Sequence, residues 1–300
     1  MGAFTGEILA LLSAMSFALF NVMIGKTTAS GGDKGVLFSV IVTIVFSLAL
    51  FLVLEVGQLP PVSTREAWLG LCLFAFAGVS AMAFGRTLVF SSIRRLGATR
   101  ASAVKRLNPF FSVLLAAVIL AEPVTGFDLA GLAAIALAFT ILVRDSLRTA
   151  RTAPGAGPLA YGIGAAAALA YAVAYIGRKS GLELLDAPAL GTFVSALAGF
   201  AAFAVLALVS RDYRPLFRNV FAHVDRPILI SALCVSVGQV LMFAALAHAP
   251  VTTVVMISSL EIFFSIFLAW LVFRTETRPG PVVIASAMLA ILGVVLVSAG

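Results

Sequence analysis

Polar side chains recur at helical spacing within otherwise apolar stretches of this 300-residue chain. Ser258, Glu261 and Ser265 stand at i, i+3 and i+7, so a helix through them carries all three on one face. Lys105, Asn108 and Ser112 repeat that spacing about 153 residues earlier (258 less 105). A charge at the bilayer centre costs on the order of 2.5–3.5 kcal/mol, so each one needs a partner or a ligand. Two matched stripes are expected of helices that face one cavity. Serine and asparagine also bond across packed helices, and for the serines both readings stand. Glu261 and Lys105 are assigned to the cavity.

Arg86 and Gln239 form a second matched pair at the same offset. Arg86 either salt-bridges Glu261 or receives a substrate carboxylate. Ser80, on the same stretch as Arg86, is counted with the binding residues. Phe17, Phe20 and Asn21 lie on the first apolar stretch, and Tyr171 and Tyr175 on the sixth. Aromatic residues at such spacing either pack or, around an amide, build a site for an amphipathic molecule. Asn108-Pro109 removes a helical hydrogen bond in mid-stretch and predicts a kink that exposes a carbonyl. Arg100 and Arg106 are read as snorkelling side chains.

These residue types suit binding rather than catalysis. The two histidines, His223 and His248, have no nucleophile or metal-ligand partner in the sequence, and His248 is read as interfacial. Cys72 and Cys234 form no CxxC. No catalytic residue, metal or cofactor is expected, and the chain is not read as an enzyme. Gly162-Ile163-Gly164 imitates a dinucleotide fingerprint, but it lies in an apolar stretch with no strand before it.

The elements that hold these groups must be membrane helices. The chain is 62% hydrophobic and 11% charged, against about 45–50% and about 25% for soluble domains. Apolar runs long enough to cross about 30 Å of hydrocarbon fall at 6–26, 35–56, 67–90, 98–119, 124–143, 157–178, 187–210, 226–246, 251–272 and 279–299. Lipid satisfies no backbone group, so all ten are helices. Gly191, Ser195 and Gly199 give the seventh a small-residue packing ridge. The first residue with a positive charge is Lys26, so MGAFTGEILALL is no secretory signal and span 1 is expected to be retained. Gly6 also breaks the myristoylation pattern.

A charged, Pro/Gly-rich stretch over 144–158 is the clearest break. It divides the chain into residues 1–145, a linker 146–156, and residues 157–300. Across it, Ile24-Gly25-Lys26 answers Ile176-Gly177-Arg178, Asp33 answers Asp186, Phe90 answers Phe243, and Phe110-Phe111-Ser112 answers Phe263-Phe264-Ser265. Five is odd, so the second half lies upside down relative to the first. The fold expected is all-α integral membrane, with ten transmembrane helices as two inverted five-helix repeats.

The charges agree with inversion. Lys26, Lys34, Arg94, Arg95, Arg144, Arg148, Arg151, Arg211, Arg214, Arg218, Arg226, Arg274 and Arg278 fall in odd-numbered loops, against Arg65, Arg178 and Lys179 on the other side. Cytoplasmic loops gather Lys and Arg. Both termini are therefore expected outside, and the net charge of +7 needs no nucleic-acid partner. Inverted repeats place their sites at the midplane between halves.

Leu96-Gly97-Ala98 entering span 4, Asn108-Pro109 within it, and Glu122 opening span 5, all within LGATRASAVKRLNPFFSVLLAAVILAEPVTGFDLAG, resemble the EamA-type branch of the drug/metabolite transporter superfamily. The resemblance runs the whole chain and is looser in the second half. Members often carry Glu before that proline. Here Asn108 stands there, and Glu261 holds the equivalent position without a proline.

The resemblance implies export of amino acids, of aromatic or hydrophobic type, across a bacterial cytoplasmic membrane. Spans 1, 3, 4, 6, 8 and 9 line the expected site. Glu261, Lys105 or Arg86 meets the zwitterionic end, and Phe17, Phe20, Tyr171 and Tyr175 the side chain. Asn21, Ser80, Asn108, Gln239 and Ser258 complete the set. The partners expected are a small-molecule substrate and the bilayer, with the chain a monomer. The alternative is an organophosphate or nucleotide-sugar exchanger that uses Lys105 and Arg86 as a phosphate clamp.

Overall fold

Runs of Ala, Leu, Val and Phe with few breaks favour continuous helix, and lipid leaves the backbone no other way to satisfy itself. The computed structural model describes residues 4–26, 34–57, 64–149, 157–211, 213–218, 220–221, 224–274 and 278–299. Among them are ten helices long and apolar enough to cross a membrane: α1 Thr5–Lys26, α2 Gly35–Glu55, α3 Arg65–Leu96, α4 Arg100–Ile119, α5 Gly126–Leu147, α6 Pro158–Leu184, α7 Pro188–Val209, α8 Arg226–His248, α9 Val251–Leu271 and α10 Pro281–Ala299. Asp33, Arg151, His223 and most of the linker lie outside the described residues, as do the side chains of Lys34, Phe90 and Arg148.

The helices pack across the two halves in matched pairs. α1 lies on α8 as α6 lies on α3, α1 on α9 as α6 on α4, and α2 on α8 as α7 on α3. α2 meets its own counterpart α7, and α5 meets α10. This is the pairing that a two-fold axis between inverted halves produces.

Small residues and hydroxyls make the crossings close. A Cβ on Gly78 of α3 would overlap the Ser195 carbonyl of α7, and Ser195 Oγ donates to Phe74 O at 2.7 Å. Thr43, which precedes Ser195 by 152 residues, sits 2.8 Å from Ser236 in the equivalent α2–α8 crossing. The ridge of Gly191, Ser195 and Gly199 is therefore a packing surface: Gly191 abuts the Phe74 and Phe243 rings and Gly199 abuts Met82. α5 and α10 cross at Gly131 and Gly293, where a Cβ on either would meet the other's carbonyl at 2.5–2.8 Å. The large apolar groups left over, such as Leu208 and Val209 at 76% and 82% exposed, point outward, where only lipid would cover them.

Two helices break at matched depth. α4 is interrupted between Lys105 and Asn108, and α9 between Ser258 and Glu261. Each break is one tightened turn: Leu107 N–H donates to Val104 O, and Leu260 N–H to Ile257 O. The proline at 109 accounts for α4. No proline exists in α9, and there the hydroxyls of Ser258 and Ser259 donate to Val254 O and Val255 O four residues back. Such back-bonding bends helices. Beyond each broken helix the chain turns through a left-handed residue, Ala121 at φ 53° and Arg274 at φ 51°. α3 has its own irregularity, a wide-turn segment over Ser80–Arg86, the kind of bulge that recurs at functional sites.

Three helices run past the ends expected from the sequence: α3 reaches Leu96 rather than 90 and takes in Arg94 and Arg95, α5 reaches Leu147 rather than 143 and takes in Arg144, and α6 reaches Leu184 rather than 178. Span 6 was read as ending at residue 178, with Arg178 and Lys179 in a loop. The helix continues to Leu184, and Arg178 is 6% exposed inside it. The basic pair made the run look finished, but the helix packs on α3 and α8 well beyond it.

Candidate functional site

The matched breaks carry the polar stripes, and helices from both halves meet there. Asn21 on α1 donates through Nδ2 to Glu261 Oε1 at 2.6 Å and reaches Ser265 Oγ at 3.4 Å. Ser265 in turn donates to the Glu261 carbonyl at 2.8 Å. On α6, Tyr175 packs against the buried cluster that holds Val254, Val255 and Ile257 of α9. Lys105 Nζ on α4 stands 5.3 Å over the Tyr171 ring. That ring also packs against Gly85 of α3, where a Cβ would lie 3.0 Å from it. Phe17 packs on Gly238 of α8, and Ser13 Oγ of α1 donates to the Gly238 carbonyl at 2.8 Å.

α1 and α9 thus meet through Asn21 and Glu261, α4 and α6 through Lys105 and Tyr171, and α3 and α8 join them through Gly85 and Gly238. Tyr171, Tyr175, Ser258 and Glu261 are half-buried, as are Phe17, Phe20, Asn108 and Gln239, while Asn21 and Lys105 are exposed. The carboxylate of Glu261 holds one amide donor and keeps further lone-pair capacity for an ammonium or hydroxyl.

Other candidates are engaged locally. Ser80 donates to Ala170 O at 2.9 Å and ties α3 to α6, the helix-joining role of a membrane serine. Asn108 Oδ1 accepts from Ser112 at 2.8 Å, within its own helix. Arg86 lays its Nη1 3.7 Å from Met82 Sδ, one turn back on its own helix. Arg106 lays its guanidinium 5.3 Å from the Phe139 ring, beside a cleft lined by Ser102, Phe139, Ser146 and Ile262. The ring holds the charge where snorkelling toward the helix end was expected.

A model of the EamA-like transporter family matches residues 4–144 and 158–299. The chain belongs to that family. It is accordingly a multi-pass membrane transporter of the drug/metabolite type, and members of the family are transporters rather than enzymes. Twenty-eight chains of known structure match. One, described only as the crystal structure of a protein, superposes with a TM-score of 0.75 at 16% identity, over 98% of this chain and 97% of its own. At that identity the likeness speaks for the fold alone. No curated protein matches the sequence.

Several working residues escaped the sequence reading. Glu55 accepts from Ala189 N–H at 2.7 Å and Leu190 N–H at 2.9 Å, capping α7. Glu122, quoted above only for the resemblance, accepts from Val251 N–H at 2.8 Å, Thr252 N–H at 3.2 Å and the Thr252 hydroxyl at 3.2 Å, capping α9. Lys179 donates to Leu246 O at 2.9 Å and Ala249 O at 3.3 Å, closing the end of α8. Gly6 abuts Ala249 on the same face. Carboxylates suit helix N-termini and ammonium groups C-termini, but neither partner adjoins in sequence. The signal that was available concerns Arg178, which follows Tyr171 and Tyr175 at i+7 and i+3 and so shares their face.

Proposed function

We propose that the protein exports amphipathic metabolites, amino acids of aromatic or hydrophobic type, by alternating access, with the two halves rocking about the site at Asn21, Glu261 and Tyr175. The observation that carries this reading is the Asn21–Glu261 hydrogen bond. It joins α1 of one half to α9 of the other at the level of the matched breaks. Glu261 receives the ammonium group, and Tyr171, Tyr175, Phe17 and Phe20 receive the apolar side chain. Lys105, Asn108, Ser258, Gln239, Arg86 and Ser80 border or support that space. The laced face at Glu55, Glu122, Lys179 and Gly6 is the closed side, and the halves 1–145 and 157–300 are the moving units about the 146–156 linker. The location proposed is a bacterial cytoplasmic membrane with both termini on the periplasmic side, and the chain works as a monomer, since it carries both halves of its own pathway.

The exchanger reading asks for Lys105 and Arg86 to point together as a clamp. Lys105 instead covers Tyr171, and Arg86 lies along Met82, so that reading is not carried forward.

The test is flux of radiolabelled phenylalanine, tyrosine and leucine in proteoliposomes, with and without a pH gradient, for the parent and Glu261→Gln. Flux in the parent that falls in the variant supports the carrier reading. Movement of phosphate esters without any amino acid defeats it.

A further inference from the structure

Among the described residues, Arg178 is the least explained charge. The residue is 6% exposed, its Nε finds no hydrogen-bond partner, and Nη1 contacts the thioether of Met242 at 3.4 Å. No carboxylate pairs with it among the described residues. Two aromatic faces hold it instead, with the guanidinium carbon 5.7 Å from the Tyr175 centroid and 5.3 Å from that of Phe243. Burying an uncompensated charge is costly. Arginine presents a five-donor fork suited to a planar oxyanion, and here most of the fork is unspent.

The placement is also specific. Arg178 shares the α6 face of Tyr171 and Tyr175 and lies against the Tyr175 ring, and that ring packs on the buried cluster that holds Val254, Val255 and Ile257 of α9, the helix that carries Glu261. A cation and a carboxylate thus stand on two helices that meet at one tyrosine, an arrangement that suits a zwitterion. The repeat supplies a counterpart: Lys26, 152 residues earlier, ends α1 with Nζ 4.1 Å over the Phe273 ring.

We infer that Arg178 is the anion-binding residue of the pathway, receiving the carboxylate of the transported molecule between the rings of Tyr175 and Phe243. This rests on the proposed amino-acid function and names the group that reads the acidic end. Glu261 selects the ammonium and Arg178 the carboxylate, so an amine without its acid is a poor substrate. While no anion is bound, the aromatic faces and the Met242 sulfur hold the guanidinium in place.

The experiment measures ligand-induced thermal stabilisation of the purified full-length protein by phenylalanine, by 3-phenylpropionate, by phenethylamine and by phenyl phosphate. Parent, Arg178→Met, Arg178→Lys and Glu261→Gln are compared. Methionine fits beside Met242, Phe243 and Tyr175, so Arg178→Met is expected to fold with an unliganded melting temperature at or above that of the parent. It should lose at least about tenfold in affinity for phenylalanine and 3-phenylpropionate and keep its affinity for phenethylamine. Glu261→Gln should show the opposite pattern, and Arg178→Lys should recover part of the carboxylate binding.

Equal losses for acid and amine in Arg178→Met, with a lowered melting temperature, make Arg178 a structural cation and overturn the inference while leaving the amino-acid reading intact. Arg178-dependent binding of 3-phenylpropionate or phenyl phosphate without any binding of phenylalanine keeps the anion site and overturns the amino-acid reading. No response to any of the four in the parent overturns both.

Discussion

Asn21 and Glu261 stand 240 residues apart in the chain and 2.6 Å apart in space, an amide of the first half donating to a carboxylate of the second. A hydrogen bond to a charged group contributes about 1.5–3 kcal/mol. Asn21→Leu leaves Glu261 without that donor and frees the carboxylate to turn from the site, so the half-saturating phenylalanine concentration should rise at least about tenfold, by that same energy. The concentration dependence of flux in proteoliposomes measures it. Asn21→Asp should be worse still, because it faces one carboxylate with another.

The close α3–α7 crossing gives a stability prediction. A Cβ at Gly78 has no room beside the Ser195 carbonyl, whereas nothing lies within 4 Å of one at Gly162. Overpacking costs about 1–3 kcal/mol. Gly78→Ala should therefore lower the melting temperature in detergent clearly, and Gly162→Ala should leave it unchanged or raise it slightly through helix propensity. Equal melting temperatures for the two variants would refute the packing argument.

The course of the spans was legible because lipid imposes one rule on every residue of a helix, and the inversion because it left two records, matched residues and opposed charges. The stripe of Ser258, Glu261 and Ser265 was legible for the same reason, since helical spacing fixes a shared face before any partner is known. What could not be read depends on the partner helix. Nothing in the sequence around Glu55 or Glu122 says that it will meet the start of α7 or α9, and nothing around Ser80 says that its hydroxyl will be spent on Ala170. Arg178 was misplaced because a basic pair closing an apolar run looks like the edge of lipid. The helix that carries it is instead shielded by α3 and α8.

The caps supply a coupled prediction. Glu122→Ala strips three hydrogen bonds from the start of α9, and losing such a cap costs about 0.5–2 kcal/mol. Beyond the fall in melting temperature, the face closed by Glu122 should open more often. In a Cys72→Ala, Cys234→Ala background, Gln239→Cys should react faster with a membrane-impermeant maleimide added from that face. Unchanged labelling with lowered stability would leave Glu122 a cap and nothing more.

The break in α9 can be removed without touching a charge. Ser258→Ala with Ser259→Ala deletes both bonds to the carbonyls four residues back, and hydroxyls in that role destabilise a helix slightly. The double variant should keep or gain thermal stability while phenylalanine flux falls several-fold, because the straightened helix shifts Glu261 relative to Asn21. Loss of stability in step with flux would mean that the serines only hold the helices together.

Orientation rests on charge. Arg94 and Arg95 end α3, and Arg274 and Arg278 follow α9, at positions the inverted repeat places on one side, while their counterparts in the opposite halves carry almost no charge. Because Lys and Arg are retained on the cytoplasmic side, alkaline phosphatase fused after residue 300 should be active, and fused within 146–156 inactive. A fluorescent protein at the same two points should show the reverse. Replacing Arg274 and Arg278 with Ser should weaken the contrast for the last helix alone, since the remaining basic loops of the first half still hold their side. A phosphatase active in the linker and silent at the C-terminus would invert the whole assignment, and with it the direction in which Arg178 meets the transported molecule.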